Sequence, residues 1–151
     1  MNLKLVSNFW DRGYAMQTSK TQLSMTNNIP LEDLETYQLS LEIGEYAWKL
    51  VDTLESFPKR TLGGQFVEAA DSIAANIAEG YGRYYYKDRK QFCYYSRGSL
   101  METKAWATKA MNRKLISKDE FEALVEKLKA LHLKLNTYIK KLKQGAQSQN
   151  I

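Results

Sequence analysis

Between Leu62 and Arg83 the apolar residues return every third or fourth position. Placed at 100° intervals, Leu62, Phe66, Ala69, Ala70, Ile73, Ile77 and Tyr81 fall on one arc, which is the period of a helix. A polar row follows the edge of that arc: Gln65, Ser72, Asn76, Glu79 and Arg83. A helix with one apolar side must bury it against other elements, so the search for the fold becomes a search for its partners.

Three more stretches have the same period. The first predicted helix runs from about Leu34 to Phe57 and carries two adjacent stripes. One holds Leu34, Leu41 and Trp48, with Tyr37, Gly44 and Val51 between them; the other holds Leu39, Ile43, Tyr46, Leu50 and Leu54. Together they exceed what one partner helix covers, which predicts contacts to another subunit as well as within a bundle. Pro58 is expected to end this helix, because the residue before a proline is pushed out of the helical region.

A further helix is predicted from about Lys87 to Asn112. Its arc holds Phe92, Tyr95, Leu100, Trp106, Ala110 and Met111, with Ser96, Ser99, Thr103 and Ala107 in the middle. Small residues there permit close helix approach, and the hydroxyls can bond to backbone. The last helix is expected to start at Ser117, which with Glu120 forms a capping box. Phe121, Leu124, Val125, Leu128, Leu131, Leu135, Tyr138, Ile139 and Leu142 form its stripe, with Lys127, Lys129, Lys134, Lys140 and Lys141 outside it.

Four helices joined by short loops predict an all-α protein, an antiparallel up-down-up-down four-helix bundle over residues 31–143. Residues 1–30 show no sustained period and read as an irregular extension, in which Leu3, Leu5, Val6, Phe9 and Trp10 offer a short docking arm. Residues 144–151 form a polar tail expected to fray. No apolar run is long enough for a membrane span, and the N-terminus does not read as a secretory signal. The single cysteine, Cys93, excludes an intrachain disulfide and fits a reducing, cytoplasmic setting.

Charge is unevenly spread. Residues 1–60 hold 6 basic and 8 acidic side chains, and residues 61–151 hold 16 basic and 9 acidic. The basic part is a candidate polyanion surface; a solvated helix face of mixed charge is the alternative.

Catalytic and metal chemistry finds little to use. One His and one Cys cannot make a Cys/His zinc site or supply a Ser-His-Asp set with alternatives. His132 at a stripe edge reads as structural, and Cys93 as a small buried hydrophobe. Gly80-Tyr81-Gly82 follows a helix rather than a strand, unlike a dinucleotide fingerprint. Glu-x-x-His pairs for a di-iron site are absent. The expectation is a protein that is not an enzyme and carries no metal or cofactor. The polar residues Ser72, Asn76, Glu79, Arg83, Arg97, Ser99 and Glu102 are instead expected to form a semi-buried structural network. Glu79 would pair with Arg97, Arg83 with Glu102, and Asn76 would bridge backbone groups. Plain exposed i, i+4 pairs are the alternative.

Several of these residues carry a resemblance. Phe57-Pro-Lys59, the run Ser72-Ile-Ala-Ala-Asn-Ile-Ala-Glu-Gly80, then Arg83, Arg97-Gly-Ser-Leu100 and Glu102 resemble the four-helix bundle family of the 23S ribosomal RNA intervening-sequence proteins. The likeness covers roughly Leu34 to Leu142, with Ala74 where the family usually has proline. It implies a homopentamer of antiparallel bundles, with Asn76, Glu79, Gly80, Arg83, Gly98 and Ser99 as characteristic positions and no assigned reaction. A related group, the accessory variability determinants of diversity-generating retroelements, is implied to share the fold and to work with a reverse transcriptase and nucleic acid.

The segment Arg83, Tyr84, Tyr85, Tyr86, Lys87, Arg89 and Lys90 interleaves aromatics with cations, the combination single-stranded RNA or DNA requires. Lys104, Lys109, Arg113 and Lys114 are expected to lengthen that surface. Packing of the tyrosines at a helix junction or subunit interface is the competing reading. Two functions stay open: a nucleic-acid-binding ring, and a scaffold or accessory factor for a protein partner such as a reverse transcriptase.

Overall fold

The computed structural model describes residues 29–149; the N-terminal extension and its arm of Leu3 to Trp10 lie outside the described residues. A short 3-10 turn, Leu31–Asp33, leads into α1 (Glu35–Asp52). Then come α2 (Gly64–Tyr81), α3 (Tyr86–Asn112) and α4 (Lys118–Gln149). No strand occurs among the described residues, so the chain is all-α as expected.

Side-chain pairings give the relative directions. Glu35 meets Lys134, Glu42 meets Lys127, and the Tyr46 hydroxyl donates to the Glu120 carbonyl, so α1 and α4 run oppositely. Gly44 meets Asp71 between α1 and α2, and Gly80 meets Phe92 between α2 and α3. Tyr86 meets Gly145 and Arg97 meets Asn136 between α3 and α4. Val51 also meets Gly63 just before α2, and Ser96 bonds Ile73, so partner numbers fall in each case and these pairs are antiparallel too.

The first helix is shorter than expected, and Pro58 is not its stop. α1 ends at Asp52, where the Thr53 hydroxyl donates to the Leu50 carbonyl and Lys59 Nζ caps the Asp52 carbonyl. The chain re-enters a helix at Ser56–Pro58, passes through a π turn at Lys59–Gly63 and continues as α2. Pro58 therefore sits in an opening turn, where its missing N–H costs nothing. At the other end of the chain the helix outlasts expectation: α4 continues through the polar tail to Gln149.

The core is made of Ile43, Phe66, Ile73, Ile77, Leu100, Leu124, Leu128, Leu131 and Leu135, with smaller residues between them. On α1 the stripe of Ile43 and Leu50 turns inward with Ala47, while Leu41 and Trp48 stay outside, Trp48 57% exposed. On α3 the buried seam is Cys93, Ser96, Leu100, Thr103, Ala107 and Ala110, and Tyr95 is exposed. That seam of small side chains brings α3 close to α2, close enough for the Ser96 hydroxyl to donate to the Ile73 carbonyl at 2.9 Å. The Ser117–Glu120 capping box forms as read, with both reciprocal bonds made.

Candidate nucleic-acid interface

The α2–α3 turn shapes the candidate surface. α2 closes with the Gly82 and Arg83 amides donating to the Ala78 and Gly80 carbonyls. α3 opens on Tyr85, whose extended backbone caps the helix through its carbonyl. Because Gly80 lets the two helices touch at the turn, the connection is short and its side chains point outward. Tyr84 and Tyr85 are 64% and 61% exposed, with ring centroids 5.0 Å apart at an interplanar angle of 89°. Lys87 is exposed beside them.

The rest of the segment is used for structure. Tyr86 turns inward and lies against Gly145 of α4, where a β-carbon would stand 2.9 Å from the ring. Arg89 donates from Nε to the Arg83 carbonyl at 2.6 Å and lies over the Tyr86 ring at 5.6 Å. Arg83 pairs with Glu79 one turn back and covers the Phe92 ring at 4.8 Å. Lys90 is half-buried. Of the seven residues read as one surface, the two tyrosines and Lys87 are thus the fully presented ones.

Lys104, Lys109, Arg113 and Lys114 lie elsewhere. α3 is 27 residues long, about 40 Å at 1.5 Å per residue, and these four lie toward its far end. Lys109 sits over the Trp106 ring at 4.2 Å, and Trp106 Nε1 donates to Glu102. Lys114 adopts φ 59°, the left-handed position of a helix-ending motif. Its amide donates to Met111 and that of Leu115 to Ala110. The structure does not bring this group to the tyrosines.

It brings the C-terminal end of α4 there instead. Contact of Tyr86 with Gly145 places the C-terminal end of α4 beside the tyrosine turn, with Lys140, Lys141 and Lys143 exposed there. Counting outward equally from the loop between α3 and α4 would have aligned these positions.

The expected internal network is corrected. Glu79 pairs with Arg83 rather than Arg97, in the plain i, i+4 arrangement. Arg97 donates to Asn136 Oδ1 and lies over Tyr94, while Glu102 accepts from Trp106 rather than from Arg83. Asn76 donates to the Ser72 carbonyl, Ser72 to that of Glu68, and the Ser99 carbonyl accepts from Thr103. The polar row lies at the exposed edge of α2, where partners one turn away satisfy it, so nothing forces the long-range pairs to form.

Inside this end of the bundle Cys93 and Tyr138 are held neutral. Burial pushes the Cys93 thiol up to about 12 and the Tyr138 hydroxyl up to about 12. Such a thiol carries almost no thiolate, which fits the reading of Cys93 as a packed hydrophobe. Among the described residues no group of three His, Cys, Asp or Glu side chains is placed to hold a metal ion, and no helix is long and apolar enough to cross a membrane.

Comparison with known proteins places this geometry. The family model described as "23S rRNA-intervening sequence protein" matches residues 32–137. A solved structure from Bacteroides thetaiotaomicron, described as a protein of unknown function from the S23 ribosomal protein family, is similar with a TM-score of 0.63 at 20% identity. The match covers 70% of this chain and 98% of that one. No curated protein sequence matches.

Proposed function

We propose that this chain, which belongs to the 23S rRNA-intervening sequence protein family, is a non-catalytic nucleic-acid-binding protein that assembles from several copies of itself. The observation that carries the reading is the exposed Tyr84–Tyr85 pair with the exposed Lys87 beside it, at the end of the bundle where α4 carries the exposed Lys140, Lys141 and Lys143. Two large rings held out by a short turn offer stacking faces to unpaired bases, and the lysines offer phosphate contacts. Single-stranded RNA or DNA suits this arrangement better than a duplex, whose bases are already stacked.

Self-assembly is supported by the outer face of α1. Leu41 and Trp48 remain exposed among the described residues, an apolar pair on the stripe for which the bundle has no use. A closed homopentamer would cover such a face and repeat the tyrosine turn around a ring, so that weak sites act together. Light scattering tests the assembly: five copies at micromolar concentration are expected, and a monomer would refute it.

Binding is tested by fluorescence anisotropy with labelled single-stranded RNA and DNA across a salt series. Affinity should fall steeply as salt rises, because phosphate contacts release counterions. An absent or salt-independent interaction, together with nuclease-resistant recovery of one protein partner, would favour a scaffold instead.

A further inference from the structure

The bundle is electrically two-sided. α1 carries four acidic residues and one lysine, and α2 carries three acidic residues and no lysine or arginine. By contrast α3 carries six lysines and arginines against two acidic residues, and α4 seven lysines against four acidic residues. α1 packs on α2 and α4, and α3 packs on α2 and α4, so the two acidic helices form one side and the two basic helices the other. A charge distribution of this kind attracts the opposite side of a second copy.

Each side also exposes apolar residues beside its charges. On the acidic side Gly44 lets Asp71 lie directly against α1, where the charge of Glu45 reaches it. One turn on, in the same direction along the two antiparallel helices, come the exposed Trp48 and Glu68; the exposed Leu41 lies one turn the other way. Glu45, Glu68 and Asp71 make no ion pair among the described residues. Neighbouring carboxylates repel, and a cation supplied from outside relieves them. On the basic side Arg97 donates to Asn136. One turn on from that contact lie Met101 and Leu133, both exposed, Leu133 by 71%. Two turns on come the exposed Lys104 and Lys129. Lys104 makes no ion pair among the described residues, and Lys129 holds only a weak surface pair with Glu126.

Resting on the self-assembly proposed above, we infer that copies join head to tail. The Trp48 side of one copy seats on the Met101–Leu133 side of the next, with Glu45, Glu68 and Asp71 opposite Lys104 and Lys129. The contact is heterologous: each copy uses both sides once, so copies add in one direction and close when the rotation between them permits. A like-with-like contact through α1 is disfavoured, because it sets Glu45, Glu68 and Asp71 against their own counterparts. Head-to-tail contact covers the sides of the bundle and leaves the tyrosine turn, at its end, open to nucleic acid.

Charge reversal, read by sedimentation velocity at micromolar concentration, tests the contact. Glu45→Lys with Glu68→Lys reverses the acidic patch, and Lys104→Glu with Lys129→Glu reverses the basic one. Each variant alone should self-associate roughly tenfold or more weakly than wild type, since like charges then meet. Circular dichroism should stay unchanged, because all four side chains are exposed. An equimolar mixture of the two variants should associate again, as each reversed patch finds the other. Wild-type size retained by either variant would overturn the inference, and so would a mixture no larger than its parts. Retention by the Lys104→Glu, Lys129→Glu variant alone would give the acidic side a different occupant. A wild-type chain that is itself monomeric would sink the self-assembly reading as well, which keeps the two failures apart.

Discussion

Gly80 of α2 lies directly against Phe92 of α3: a β-carbon at position 80 would stand 2.8 Å from the Phe92 β-carbon and 3.1 Å from the Arg89 carbonyl oxygen. The obstacle includes backbone, so it cannot rotate away. Gly80→Ala is expected to destabilise the fold by about 1–3 kcal/mol, despite the better helix propensity of alanine. Gly98 supplies the contrast, because nothing lies within 4 Å of a β-carbon built there. Gly98→Ala should stabilise the isolated chain by about 0.5–1 kcal/mol. Urea denaturation midpoints of the two variants, which should move in opposite directions, check the pair.

The Ser96 hydroxyl donates across the buried α2–α3 seam to the Ile73 carbonyl. Ser96→Ala should cost about 1 kcal/mol for the lost bond. Ser96→Val, which adds bulk where the helices touch, should cost more. Thermal unfolding of the two variants should rank them in that order.

Lys114 holds φ 59°, a conformation that glycine adopts without strain. Lys114→Gly should therefore raise stability by about 1 kcal/mol. It should leave RNA affinity nearly unchanged, because Lys114 is at the far end of α3 from the tyrosine turn. A single preparation, melted and then titrated with RNA, reads both effects.

Two carboxylates should shape the acid limb of the stability curve in opposite senses. The hydrogen bond from Lys134, followed by the charges of Lys134 and Lys141, holds the Glu35 carboxyl below its ordinary value. Its contribution is present above the unfolded pKa and is lost as pH falls through the folded one. Burial, followed by the nearby charge of Glu45, holds the Asp71 carboxyl above its ordinary value. The folded state then binds the proton more tightly, so this group favours folding as pH falls through its raised pKa and opposes folding above it. Melting temperatures from pH 3 to pH 7 should show Asp71→Asn gaining stability at neutral pH and Glu35→Gln losing it.

Tyr84→Ala with Tyr85→Ala should weaken single-stranded RNA binding by roughly 30-fold or more, from two stacking rings worth about 1–3 kcal/mol per base. Both rings are exposed, so the melting temperature should hold. Tyr86→Ala should do the reverse, lowering stability through its lost contact with Gly145 and Arg89. Anisotropy and calorimetry on the same three variants separate the two roles.

Much of the bundle was legible in the chain. Apolar spacing located all four helices, and the Ser117–Glu120 pattern located the start of α4, because both signals are local and survive whatever the helix packs against. Pro58 misled because the same residue suits a helix opening and a helix end; which one it marks depends on α1 stopping earlier, at Asp52.

The candidate site was only half legible. A wheel shows that Glu79 and Arg83 share a face, but not that they pair with each other at the surface rather than with Arg97 and Glu102 of α3. Sequence proximity joined Arg83 through Lys90 into one surface, although Tyr86 turns inward against α4 and Arg89 bonds back to the Arg83 carbonyl while Tyr84 and Tyr85 turn out.

What the sequence determined by itself was the helical period, the caps and the family, since each is written within a few turns of chain. Tertiary structure alone decided the rest: Tyr86 beside Gly145, the C-terminal end of α4 at the tyrosine turn, and Lys104 to Lys114 far from it. The physical reason is the length of the rods. Residues 59 positions apart meet across antiparallel helices, while two groups on α3 are separated by roughly 30 Å along its axis.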